Sequence, residues 1–187
     1  LIGIYLRQHS ATSEGTIPPM LRELHIELGI PDDYDVDGTR PNFEEAVELV
    51  DVGSNLAGRM QRLTPDTAAS WQEMQAAARE DGITLMIVSG FRSVEYQASL
   101  IRKKINAGQS VRKILAVNAA PGFSEHHTGC AIDIASPGSR PLTEEFESSD
   151  AYGWLKKNAV RFGFSMSYPR ENRQGFIFEP WHWAKSG

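Results

Sequence analysis

Along this chain apolar residues fall either at helical spacing over long stretches or in short runs and alternations bounded by glycine. The contrast assigns most elements before any chemistry is considered. MLRELHIELG, residues 20–29, predicts a helix set among Pro18, Pro19, Pro31 and Pro41, with the acidic PDDYDVDG behind it as loop. FEEAVELVD predicts either a short helix or an extended lead-in, and the glycines of GSNLAGRMQRL predict irregular chain. A helix then opens on Thr64 as N-cap with Pro65 at its first position, carries Trp71, Met74 and Ala78 at helical spacing, and stops at Asp81-Gly82. ITLMIVSG follows as a buried strand, and SVEYQASLIRKKINAG starts a second capped helix at Ser93, so strand and helix meet at SGFRS.

In CAIDIAS the alternation places Ala131 and Asp133 on one face of a core strand and Cys130, Ile132 and Ile134 on the other. Beyond PGSRPLTEEF, the helix SDAYGWLKKNAVRFG ends at Gly163. FSMSYP and GFIFEPWHW then predict two strands joined by RENRQG as an antiparallel hairpin. Few helices and several short strands that do not alternate regularly give an α+β fold.

Composition narrows the function classes. With 187 residues, 41% of them apolar and 23% charged, the chain suits one domain with a hydrophobic core and room for a small appendage. A formal charge of -5 is not the broad basic footprint of a nucleic-acid binder. The single cysteine excludes an internal disulfide and a multi-cysteine zinc site. No run approaches the roughly 20 apolar residues that a membrane helix needs. LIGIYLRQHS is too short and polar for a signal peptide, so an original targeting segment is expected to be missing from this sequence. The basic run Arg102, Lys103, Lys104, Arg112 and Lys113 reads as a solvated helix face.

The chemistry concentrates in SEHHTGCAID, which sets two of the chain's five histidines side by side. A catalytic zinc site takes three protein ligands drawn from histidine, carboxylate and thiolate and leaves a fourth position open. His126, in a turn that Gly129 permits, and Asp133, on the strand just after it, can converge on one ion, and Ala131 leaves room beside them. EPWHW adds His182 as third ligand and Glu179 as a carboxylate able to take a proton from water that the ion has acidified. His127 is read as a non-ligand, because three ligands suffice. Cys130, pointing away from Asp133 along the strand, is read as buried and inert. Trp181 and Trp183 alternate around His182, one toward the core and one toward a cleft.

SGFRSVEYQ, SEHHTGCAIDI and EPWHW, in that order and spacing, resemble the zinc D-alanyl-D-alanine carboxypeptidases of the VanY type. These belong to a wider group with lysostaphin-type peptidases and the sonic hedgehog signalling domain. The resemblance covers about residues 48 to 184 and implies a small central antiparallel sheet with flanking helices. It implies one zinc ion per chain on His126, Asp133 and His182, with Glu179 as general base and Arg92 over the scissile carbonyl. It also implies a substrate cleft lined by Ser124, Gln97, Tyr168 and Trp181. The expected substrate is a peptidoglycan stem peptide in the bacterial periplasm or cell envelope, with terminal D-alanine removed. L,D-carboxypeptidase or endopeptidase action, and a non-hydrolytic zinc-containing binding module, are the alternatives. Residues 1–42 fall outside the resemblance and are expected to form an extension packed on a zinc peptidase domain of residues 43–187.

Overall fold

A computed structural model describes residues 17–186. Its centre is an antiparallel sheet in the order β3 (Met86–Ser89), β4 (Ala131–Ala135), β6 (His182–Lys185), β5 (Phe164–Met166). β4 is buried along its whole length, and its register sets Ile132 opposite Trp183 and Asp133 opposite His182. Ile132 and Ile134 turn toward a core that α2 (Pro65–Glu80) covers with Trp71, Met74 and Ala78, and that α5 (Asp150–Asn158) closes with Trp154 and Leu155. Thr64 caps α2 as its spacing predicted, its hydroxyl accepting from Thr67 N–H, with Pro65 following.

A second cluster lies beside the sheet. Leu28 and Ile30, from α1 (Pro19–Leu28) and the turn after it, pack with Ala98 and Ile101 of α3 (Val94–Asn106). Ile114 and Leu115 of α4 (Val111–Leu115) and Phe123 complete the cluster. Helix α1 and the turn after it thus support the loop that leads into SEHHTG. Gly122 in that loop has φ 86, and a Cβ there would overlap Leu21 of α1. His25 adds a ring-nitrogen hydrogen bond to Pro121 O at 2.8 Å.

Two stretches depart from the pattern-based reading. Val50–Ser54 and Met60–Leu63 form an antiparallel hairpin, β1 and β2, where a short helix or an extended lead-in, followed by irregular chain, was expected. Gly53 sits at the register shift between Asp51 and Gly53, and the Asn55 side chain accepts from Ala57 and Arg59 N–H in the turn. The glycines here shape a hairpin instead of breaking regular structure. Conversely, the strand expected over 175–183 begins only at His182. Asn172 holds both the N–H and the carbonyl of Phe176 in a local turn, and Pro180 offers no N–H for a ladder. No helix among the described residues is long and apolar enough to cross a membrane.

Candidate metal centre and cleft

The register pair Asp133–His182 brings together two residues that lie 49 positions apart in the chain. His126 joins them from the short 3-10 turn Glu125–Thr128, which Gly129 ends in the left-handed conformation at φ 65. A Cβ on Gly129 would press on Leu49 and Thr64. One ligand atom from each of His126, Asp133 and His182 lies within 4.8 Å of the others. All three residues are at most 4% exposed. His126 Nε2 stands 3.2 Å from Asp133 Oδ2, and His182 Nδ1 stands 3.0 Å from Asp133 Oδ1.

Hydrogen bonds behind the rings select the ligating nitrogens. His126 Nδ1 is 2.7 Å from Gly90 O, which can only accept, so Nδ1 carries the proton and the Nε2 lone pair faces Asp133. His182 Nε2 is 2.9 Å from Glu125 Oε2, which leaves Nδ1 toward Asp133. Two backed imidazoles and one carboxylate, with no further protein ligand in the group among the described residues, fit the donor set of a catalytic zinc ion. Charges agree with that fit. Burial raises the Asp133 carboxyl, but the flanking histidines outweigh it and hold the group well below the usual carboxylate range. Burial lowers His182, yet its hydrogen bonds to Asp133 and Glu125 prevail and push it up to about 10. The same field that holds a proton at that point favours a divalent cation.

His127 has a different place. Its Nδ1 is 2.6 Å from Arg92 O, and its Nε2 accepts from Gly122 N–H at 3.1 Å. Both ring nitrogens are engaged, so this fully buried histidine stitches the loop together and has no lone pair for a metal. Cys130 is half-buried rather than fully buried, and its thiol meets Thr64 Oγ1 and Thr128 O.

A cleft of about 290 Å³ opens over the three ligands. Arg92 enters it from the segment after β3, with Nη1 donating to Gln97 Oε1 at 2.9 Å and Nη2 donating to Ser89 Oγ at 3.1 Å. Its Nη2 lies 3.8 Å from Asp133 Oδ2, which fixes the guanidinium beside the centre. Glu179 also faces the cleft, and burial pushes its carboxyl up to about 7. Glu179 and Arg92 thus line the same cleft as the ligand set.

Residues 60–187 match the VanY family, described as D-alanyl-D-alanine carboxypeptidase. The chain belongs to the VanY family. A putative carboxypeptidase YodJ of Bacillus subtilis is 33% identical over 76% of this chain and 54% of its own length. The chain spans about half the length of the curated relatives it matches. Among solved structures, the LdcB LD-carboxypeptidase superposes with a TM-score of 0.69 at 32% identity, covering 79% of this chain and 72% of that one. A VanY D,D-pentapeptidase variant in complex with Zn(II) superposes with a TM-score of 0.58 at 30% identity, covering 75% and 79%.

Within this VanY-family cleft, Ser124, Tyr168 and Trp181 lie in the lining with Arg92 and Glu179. Tyr168 sets its ring 4.7 Å from that of His182. Trp181 lines the cleft while Trp183 is core, although both belong to the same buried cluster. Gln97 is placed otherwise. It has no exposed area, accepts from Arg92, and donates to Ala119 O at 2.7 Å, so it stands behind Arg92 and does not reach the cleft. Two residues that sequence reasoning passed over do bear on the site: Glu125, which backs His182, and Lys104, which lines the cleft. Glu125 sits next to a ligand in the sequence, but its partner is 57 residues away. Lys104 was read as part of a solvated face. It is instead half-buried, its ammonium bonded to Asn118 Oδ1.

Proposed function

We propose that this chain is a zinc-dependent peptidase that trims peptidoglycan stem peptides, acting as a D-alanyl-D-alanine carboxypeptidase. The convergence of His126, Asp133 and His182 beneath a cleft that also holds Glu179 and Arg92 carries this reading. The Zn(II) held by the VanY D,D-pentapeptidase variant supports zinc as the ion. A bound zinc ion supplies Lewis acidity, polarising a carbonyl and lowering the pKa of water to about 7.

The chain's own residues account for the proton movements and the charge. Glu179, whose buried carboxyl sits near neutrality, accepts a proton from the attacking water and returns it to the leaving amine, so no covalent enzyme intermediate is needed. Arg92, held by Ser89 and Gln97, presents a permanent positive charge to the oxyanion that develops at the scissile carbonyl. Tyr168 and Trp181 shape the apolar surface against which the peptide lies. A binding module with the same ligands would have no use for a carboxylate of raised pKa beside them.

L,D-carboxypeptidase action is the second reading, favoured by the likeness to LdcB, described as an LD-carboxypeptidase. Either substrate supports the bacterial cell envelope as the working place of the protein. Mass spectrometry of zinc-loaded protein with a stem pentapeptide ending D-Ala-D-Ala, and separately with the tetrapeptide ending in one D-Ala, decides between them. Chelator-sensitive loss of one alanine from the pentapeptide alone is expected. Loss from the tetrapeptide moves the assignment to L,D, and two intact peptides on a zinc-loaded chain defeat the carboxypeptidase reading.

A further inference from the structure

Lys104 is on the wrong face of its helix for a solubilising lysine. In α3, positions 97, 101 and 104 share one side, and on that side Gln97 and Ile101 have no exposed surface at all. Its sequence neighbours behave differently. Arg102 reaches Glu27 and Glu95, and Lys103 is exposed. Lys104 instead projects into the cleft lining, where Asn118 takes one of its three N–H donors. Among the described residues no carboxylate lies within 4.0 Å of its ammonium.

Lys104 therefore shares a small cleft with a second cation, in a chain whose net charge is -5. Arg92 has Asp133 beside it, whereas the half-buried Lys104 ammonium has given up hydration without gaining a carboxylate, a cost that an anionic ligand group relieves. The charges are not equivalent. Arg92 is already committed to Gln97, Ser89 and the Asp133 side of the cleft, which leaves it facing the ligand set. Lys104 has donors to spare, and Asn118, on the loop that carries Ala119, braces it.

We propose that Lys104, positioned by Asn118, binds the free C-terminal carboxylate of the peptide and so selects chain ends over internal bonds. The inference rests on the carboxypeptidase reading and deepens it by naming the group that makes the enzyme an exopeptidase. It is indifferent to D,D or L,D specificity, since both substrates end in a carboxylate. Ser124, also in the lining, is a neutral donor and cannot supply the charge.

The test compares binding of a D-Ala-D-Ala-terminated stem peptide as free acid and as C-terminal carboxamide, measured by calorimetry on the zinc-loaded full chain carrying Glu179→Gln to stop turnover. The free acid is expected to bind about 10- to 100-fold more tightly, the range of a hydrogen bond to a charged group. Adding Lys104→Met should shrink that ratio to below about threefold by weakening the acid while the carboxamide keeps its affinity, and Lys104→Arg should preserve most of the ratio. Asn118→Ala, which leaves the charge but frees it, should reduce the ratio partway. Zinc content and thermal midpoint of each variant guard against misfolding. An acid-to-amide ratio that survives Lys104→Met, or its absence in the parent, overturns the proposal. Turnover is measured separately on the unmutated chain. No alanine release together with intact acid-to-amide discrimination would sink the hydrolytic reading and leave the carboxylate site standing.

Discussion

The floor and the rim of the cleft are built from different material. The floor consists of His126, Asp133 and His182, at most 4% exposed, carried on two paired strands and a tight turn and backed by Gly90 O and Glu125. The rim includes Val117, Leu142 and Ile177, which are 39%, 47% and 39% exposed and belong to connecting segments. Buried, doubly hydrogen-bonded side chains hold a ligand geometry that a small displacement would ruin. Exposed apolar side chains on loops tolerate replacement, so they are where substrate preference can drift without loss of the centre.

The sharpest way to break this contrast is at the floor and at Glu179, which shares the cleft with it. Glu179→Gln should retain stoichiometric zinc and lose turnover by about 10³- to 10⁴-fold, at the upper end of what general acid–base catalysis contributes. His182→Ala should lose both zinc and turnover, because it removes a ligand and leaves Asp133 buried beside a void. Metal analysis alongside single-turnover kinetics checks the pair. Full activity in Glu179→Gln would remove it as the base.

One step back from the ligands the effect should fall. Glu125 accepts from His182 Nε2 at 2.9 Å and is otherwise uninvolved in the ligand set. Glu125→Ala should weaken zinc by about 10- to 100-fold in chelator competition, as loss of a carboxylate behind a liganding histidine does, while Glu125→Gln recovers part of it. Unchanged affinity in Glu125→Ala would reduce the contact to packing.

How far the sequence reaches follows the same division. Each ligand announced itself locally: a glycine-ended turn for His126, a strand alternation for Asp133, a short aromatic motif for His182. The spacing of His126 and Asp133 lets turn and strand converge, but the pairing of Asp133 with His182 is a register between strands far apart in the chain, which no local pattern shows. The strand carrying His182 was placed too early, since Asn172 and Pro180 override the β-forming residues between them. The β1–β2 hairpin was lost because Gly53 and Gly58 look like breakers until a partner strand makes one a bulge and the other a turn. Lys104 was misplaced for a simpler reason. A run of basic residues was given one environment, although helical geometry turns Lys103 outward and Lys104 inward.

A smaller effect separates floor from rim by pH. Burial pushes the Glu179 carboxyl up to about 7, and the base works only when ionised. Activity should therefore be present above that midpoint and fall about tenfold per pH unit below it. A cation in the centre stabilises the carboxylate, so the acid limb of kcat/KM in zinc-loaded protein should lie at or below pH 7. Rim variants should leave the limb where it is. A limb centred well above 7 would assign it to another group.

The least disruptive change lies at Leu142, a cleft residue whose φ of 56 puts a branched side chain in the left-handed region. That conformation costs a non-glycine residue about 1–2 kcal/mol. Leu142→Gly relieves the strain but loosens the unfolded chain by about 0.5–1 kcal/mol, so the two nearly cancel and the thermal midpoint should move by no more than a few degrees. Peptide binding should feel the lost apolar surface instead, with KM rising about threefold and kcat unchanged, as expected of an exposed residue that touches substrate only at its edge. A large drop in midpoint would make Leu142 a packing residue after all. An unchanged KM with an unchanged midpoint would mean that the peptide leaves the cleft on another side, and the contrast between floor and rim would then have to be redrawn along Val117 and Ile177.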